Sequence, residues 1–284
     1  MNRFSSLHPV VAALYFMSVL AITMFAANPI LLVIALLGGI LFFIKAQRHI
    51  RVFKELGFYL LLFVLVSLTN PLFSHNGLTP LFFLNGNPIT LEAVLYGADI
   101  AVMLIAVMYW FKCFSLVMTE DKLLFLFGKI SPKISLLISS ALRFVPLLKT
   151  QAAKIQQSQK AMGLYASDVW TDKLRGTVRV YSALITWALE NAIDTGSSMK
   201  ARGYGLKGRS HYSLYTFRKS DFLFLVMIVV LDIIIITIMS SGQLEFSFYP
   251  SLSVAPITIN NFLAIVAFAI LSLMPFIIEV KTNY

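Results

Sequence analysis

The side chain in this sequence best suited to specific polar recognition is Arg202, in the run Ser198-Met199-Lys200-Ala201-Arg202-Gly203-Tyr204-Gly205. Its guanidinium carries five donors in a rigid fork that matches carboxylate or carbonyl oxygens. A helix that stops at Gly203 or Gly205 would present that fork from a stiff end, beside the small Ala201. The same residues also make an ordinary helix cap, because Lys200 and Arg202 suit the negative end of the helix dipole. The tripeptide alone fits both a cap and a plug for a groove on another protein.

Other candidate chemistry is weaker. Gly203-Tyr204-Gly205-Leu206-Lys207-Gly208 has GxGxxG spacing, and the run on to Ser210 approaches a P-loop with Arg209 in the lysine's place. Either would need a strand before it and a helix after it, so that phosphates meet helix N-terminal amides. Here a helical pattern precedes and a polar stretch follows, which argues against nucleotide binding by this chain. Asp99, Lys112 and Asp232 fall inside apolar runs, and Glu92 opens one. Charges there are costly and point to function or to pairing. Asp99 and Lys112 are thirteen residues apart on one helix, too far to pair directly. Each would need a polar partner on another span, or Lys112 would snorkel toward the surface. Structural roles are the reading adopted for these residues. His8, His49, His75 and His211 are scattered without ligand spacing, and Cys113 stands alone in an apolar run. Neither a disulfide within the chain nor a metal site is expected. HExxH, Ser-His-Asp and paired-carboxylate arrangements are absent, so no catalysis and no cofactor are expected.

Composition says where these residues reside. Of 284 residues, 58% are hydrophobic and 13% charged, with mean hydropathy +0.82. A soluble domain carries about 25% charged residues. The apolar excess is gathered into runs, which makes this an all-α polytopic membrane protein. The net charge of +10 is concentrated too: 16 of the 23 Lys and Arg, but 7 of the 13 acids, lie between Thr119 and Asp221. That pattern fits a cytoplasmic segment facing anionic lipid or an acidic partner rather than nucleic acid.

Six segments can cross a bilayer: Pro9 to Phe25, Ile30 to Ile44, Leu56 to Phe73, Leu91 to Met118, Phe222 to Ser240 and Ile259 to Ile278. Arg3, the first run and Ala26-Ala27 superficially resemble a signal peptide. The run is long for one and more spans follow, so it is read as a first span. Ala26-Ala27-Asn28-Pro29 is a tight turn, and Gly38-Gly39 marks a place where helix backbones can approach closely. Lys45, Arg48, Arg51 and Lys54 make the second loop cytoplasmic. The connection from Asn70 to Thr90 has no charged residue and many turn formers (Asn70-Pro71, Asn76-Gly77, Asn85-Gly86-Asn87-Pro88), so it faces outside. With Arg218 and Lys219 inside, Glu245 outside and Lys281 inside, both termini are expected in the cytoplasm. The organisation expected is spans over 1–121, a cytoplasmic insert over 122–217 and two further spans over 218–284.

The insert carries two amphipathic helical patterns. One places Ile138, Leu142, Val145, Leu148, Ala152 and Ile155 on a stripe, with Lys149, Lys154, Gln157 and Lys160 elsewhere, and Pro146 should kink it. The other has Val178, Tyr181, Ile185, Ala188, Ala192 and Met199, with Glu190 and Asp194 polar. Asp168, Asp172 and Lys173 lie in the connection. At around 20 residues or more and 1.5 Å per residue, each pattern is about 30 Å long. The stripes could pack on each other, on the membrane surface or on a partner.

At this point the chain resembles the transmembrane T component of energy-coupling factor transporters, the EcfT- and CbiQ-like membrane proteins related to ABC transporters for vitamin and micronutrient uptake. Arg143-Phe144-Val145-Pro146-Leu147-Leu148 is similar to the start of the family's first long coupling helix. Ser158-Gln159-Lys160-Ala161-Met162-Gly163-Leu164 resembles the first of its two Ala-Arg-Gly motifs, and Ser198 to Gly205 the second. The likeness extends to Asn70–Gly97, and so covers most of the chain. It implies that each motif tip docks in a groove of one of two ATPase subunits, of A and A′ type. It implies also that the coupling helices hold a small substrate-binding membrane protein, the S component. ATP binding would close the ATPases, move the tips and tilt the S component. The first motif departs from the family pattern, with Met162 in the arginine's place. A thioether cannot make a forked hydrogen bond. Lys160 would supply the charge, or Met162 would fill an apolar groove, or that side would dock weakly. An asymmetric pair of docking sites, Arg202 being the stronger, is the expectation.

The resulting expectation is a non-catalytic coupling subunit of an ATP-driven importer in the bacterial cell membrane, with ATP hydrolysed by its partners. The rivals are an ion-coupled secondary transporter with its own site near Asp99 and Asp232, and a membrane enzyme. The transported substrate is not encoded in these residues, because specificity would reside in the S component.

Overall fold

The computed structural model describes residues 4–26, 28–46, 50–74, 76–84, 87–163, 170–206, 215–253 and 258–280. His49, His75, His211, Asp168, Leu164, Arg209 and Lys281 lie outside the described residues. The chain forms two compact units, one of Met1–Leu123 with Tyr215–Tyr284 and one of Leu124–Leu214.

The first unit is built from α1 (Pro9–Phe25), α2 (Pro29–Ala46), α3 (Ile50–Phe73), α4 (Leu91–Val117), and, after the second unit, α8 (Lys219–Ser240) and α9 (Ile259–Val280). All six expected spans are helical. Five are long and apolar enough to cross a membrane, while α1 is apolar but has 17 residues. Large apolar side chains such as Leu60, Leu61 and Leu65 point outward, as they must where the surroundings are lipid. The interior is aromatic: Phe4 is edge-on to Tyr15, Phe16 and Phe42, and buried Trp110 donates from Nε1 to the Ala35 carbonyl at 2.9 Å. The expected close approach at Gly38-Gly39 is present and serves two neighbours. A Cβ on Gly38 would fall 2.9 Å from Ser272 Cβ of α9, and one on Gly39 3.2 Å from Tyr109 Cβ of α4.

Helix α3 does not turn at Asn70-Pro71 but runs through to Phe73. Pro71 has no amide for the Ser67 carbonyl. That carbonyl instead faces Gly97 of α4, where a Cβ would come within 2.4 Å of it, and Asn70 Nδ2 donates to the Ala93 carbonyl at 2.8 Å.

The connection after α3 holds a feature the sequence reading missed, an antiparallel hairpin of β1 (Pro80–Leu84) and β2 (Asn87–Thr90) that pairs Phe82 with Ile89 and Leu84 with Asn87. Its signal was Asn85-Gly86 between apolar runs, the dipeptide most typical of two-residue hairpins. Glu92 ties it down, accepting from Thr79 Oγ1 at 2.7 Å. Thr90 caps α4 by accepting from Ala93 N at 3.3 Å and donates to the Asn76 carbonyl at 2.7 Å. Tyr249, from the connection between α8 and α9, reaches Asn70 at 3.3 Å and packs on Tyr96.

The second unit takes in most of α5 (Glu120–Ile130), then α6 (Pro132–Ala161) and α7 (Trp170–Ala201). Pro132 ends α5 and opens α6, since proline fits the first turn of a helix. Helix α6 is continuous through Pro146. Phe144 and Trp187 rings, 6.0 Å apart, join the two long helices near their middles. The stripes read from periodicity are only partly the ones used. Ile138, Leu148, Ala152 and Ile155 are partly covered, but Leu142 and Val145 are exposed. On α7 the expected Ala188 and Met199 are partly covered, together with Gly176, Val180, Leu184, Trp187 and Asn191, whereas Val178, Tyr181, Ile185 and Ala192 face outward. Periodicity finds an apolar face, and α7 has two.

Candidate functional site

Both long helices end in the same way. Gly203, at φ +79°, follows α7, and its amide donates to the Lys200 carbonyl at 3.0 Å, while the Tyr204 amide reaches back to Met199 at 3.0 Å. These are the two bonds of a Schellman cap. Gly163, at φ +84°, follows α6, and its amide donates to the Lys160 carbonyl at 3.0 Å. A side chain at either glycine would be strained there. Met162 and Arg202 therefore occupy equivalent backbone positions, each the last residue before the left-handed glycine.

Each tip is presented outward. Lys160, Ala161, Met162 and Gly163 are exposed, as are Ala201 and Arg202, with Gly203 half-covered. Met162 is 70% exposed. From the Phe144–Trp187 contact, α6 carries its tip about 25 Å and α7 about 21 Å along their axes. The two tips thus stand at the ends of separate arms. Along α7 an unbroken line of outward apolar residues (Trp170, Leu174, Val178, Tyr181, Ile185, Leu189 and Ile193) recurs every three or four positions, from 73% exposure at Trp170 to 69% at Ile193.

Chemically, Arg202 offers a charged, planar donor set with no ion pair to a described residue, and Met162 offers an apolar, deformable surface. The equivalent ends therefore differ in what they can bind. One suits paired oxygens and the other an apolar hollow.

The intramembrane charges are not gathered into one site. Lys112 forms an ion pair with Glu55 of α3, and its Nζ lies 4.9 Å from the Tyr59 ring centroid and 5.5 Å from that of Phe43. Asp232 of α8 faces Ser18 of α1, with Oδ1 buried and without a hydrogen bond. Asp99, on α4, is half-buried. No contact joins these three among the described residues. Glu55 is the residue that the sequence reading missed. It could have been found by depth, since it lies five residues into α3 and Lys112 five residues before the end of α4, on oppositely directed neighbouring spans.

A family model described as CbiQ, cobalt transport protein, matches residues 2–212. The chain is similar to the energy-coupling factor transporter transmembrane protein EcfT of Listeria innocua, at 34% identity over 102 residues, 35% of this chain and 38% of the relative. It is 35% identical over 101 residues to EcfT of Lactobacillus helveticus, 35% of this chain and 36% of the relative. To EcfT of Streptococcus equi it is 29% identical over 114 residues, 39% of this chain and 42% of the relative. In each case the matched stretch spans less than half of the relative's length.

Proposed function

This chain belongs to the CbiQ family of cobalt transport proteins, and from that premise we propose that it is the transmembrane coupling subunit of an energy-coupling factor importer for a vitamin or other micronutrient. In this reading two ATPase subunits receive the ends of α6 and α7, and a small substrate-binding membrane protein lies on the apolar face of α7. Nucleotide-driven closure of the ATPases shifts the tips, and the stiff helices carry that shift to the substrate-binding partner. The chain itself hydrolyses nothing. It sits in the bacterial cell membrane with both termini in the cytoplasm.

The observation that carries this reading is the matched pair of exposed, glycine-terminated helix ends. A left-handed glycine ends many helices; what supports docking is that both such ends are exposed and carry the two motif stretches. The outward line on α7 supports the third partner, because apolar area of that extent is left uncovered only where something else covers it.

Docking at two points joined by a rigid frame multiplies partial affinities when the spacing fits. Reconstitution tests the proposal. Uptake that requires both the ATPases and a substrate-binding partner supports it, and uptake by this chain alone driven by an ion gradient refutes it.

A further inference from the structure

We propose that the foot of α8 holds an anionic phospholipid. This site is distinct from the docking tips and stands whether or not the coupling role is right. A cavity of about 580 Å³ opens where α1, α8 and α9 share one end of the membrane unit, with Ser6, Arg218 and Ser220 on its polar side and Leu7, Phe224 and Ile277 on its apolar side. That volume is in the range of sites for small amphiphiles.

Along α8 the lining changes from polar to apolar with depth. Arg218 immediately precedes the apolar span Lys219–Ser240, and Phe224 lies about 9 Å further along the helix axis. Ile277 is three residues from the end of α9, on the same side. A ligand must therefore be charged or polar at the membrane boundary and apolar a few methylenes deeper. A soluble phosphate compound matches the first part only.

Arg218 supplies the exposed cation of the cavity. Asp221 also lines the cavity, but it is buried, and its two oxygens accept from the His8 amide at 3.3 Å and the Arg218 amide at 2.9 Å. The Arg218 side chain is exposed and makes no ion pair with a described residue, and the adjoining Lys219 adds a second exposed cation. A guanidinium recognises phosphate oxygens through its fork, and the Ser220 hydroxyl can donate to the same group. A quaternary ammonium headgroup would be repelled by the paired cations. The bound lipid would brace α8, the first span after the second unit.

Native mass spectrometry of the delipidated full chain in non-ionic detergent tests this, with phosphatidylglycerol, phosphatidylcholine and soluble glycerol 3-phosphate as probes. Phosphatidylglycerol should bind the wild type about ten-fold more tightly than it binds Arg218→Gln, while Arg179→Gln, a cation of the second unit, leaves its affinity unchanged. A phosphatidylglycerol carrying a diazirine on its acyl chain should label the peptide with Phe224 or Ile277. The Ser220→Ala variant, which keeps the charge, should weaken binding to a smaller degree and serves if Arg218→Gln does not fold. Equal phosphatidylglycerol affinity in wild type and both variants overturns the proposal. So does equal affinity for phosphatidylcholine, or displacement of the lipid by glycerol 3-phosphate.

Discussion

Tyr15 donates its phenolic hydrogen to the Leu271 carbonyl at 3.0 Å, within the buried interior. Leu271 lies four residues before Pro275, which sits inside α9 and has no amide to offer it. The proline opens an acceptor and a side chain from α1 closes it, tying the first and last helices of the membrane unit together. Within lipid no water is present to satisfy such a group.

Removing that hydroxyl should therefore cost stability only while the proline stays. Tyr15→Phe is expected to lower unfolding free energy by about 1 kcal/mol. In a Pro275→Ala background, where residue 275 regains its amide, the same change should cost well under half as much. Thermal melts of the four proteins in detergent give the coupling, and equal costs in both backgrounds would count against the link.

Glycine positions on lipid-embedded helices should split sharply by what faces them. Gly38→Ala puts a methyl 2.9 Å from Ser272 Cβ and 3.0 Å from its carbonyl oxygen, and backbone cannot give way cheaply. We expect a loss of about 1–3 kcal/mol from overpacking. Gly57→Ala meets nothing within 4 Å and should gain about 0.5–1 kcal/mol from helix propensity. Melting temperatures that move in the same direction would refute the packing argument.

The Glu55–Lys112 pair is partly exposed, so its contribution is modest. Glu55→Gln leaves Lys112 without its counter-charge and should cost about 1 kcal/mol or somewhat more. The double variant Glu55→Gln with Lys112→Met should recover most of that loss. A double variant less stable than the single one would mean that Lys112 stabilises the fold without Glu55, and would refute the pairing argument.

At the tips the equivalent positions should respond unequally. Arg202→Ala is expected to weaken capture of the ATPase subunits by about 2–5 kcal/mol, much of it from an acceptor left unpaired on the partner. Met162→Ala should cost less, about 1–2 kcal/mol, having apolar contact but no directed bond to lose. Pull-downs that rank the two variants the other way round would reverse the proposed assignment of strength.

The outward face of α7 makes a separate prediction. Ile185→Asp places a charge on that face without touching either tip. It should lower co-purification of the substrate-binding partner by about ten-fold while leaving ATPase capture and melting temperature unchanged. Equal retention of that partner would remove this face from the proposal.

The spans and the glycine that ends α7 were legible in the sequence, because run length and turn residues act locally. Gly38-Gly39 likewise announced close packing, though not that each glycine would serve a different neighbour. What escaped depended on contacts between distant segments. The covered face of α7 was read only in part, at Ala188 and Met199, because Gly176, Val180 and Trp187 form a weaker apolar pattern than Val178, Tyr181 and Ile185, and only the partner helix selects between them. Glu55 was hidden in a basic stretch, and its role depends on standing at the depth of Lys112. The hairpin at Pro80–Thr90 had a local marker in Asn85-Gly86, but short strands such as these form only when held, here by Glu92 of α4.

The matched helix ends are alike in backbone and unlike in chemistry, one closing on a sulfur and the other on a guanidinium. A surface shaped for one would grip the other poorly, so the two arms are not interchangeable.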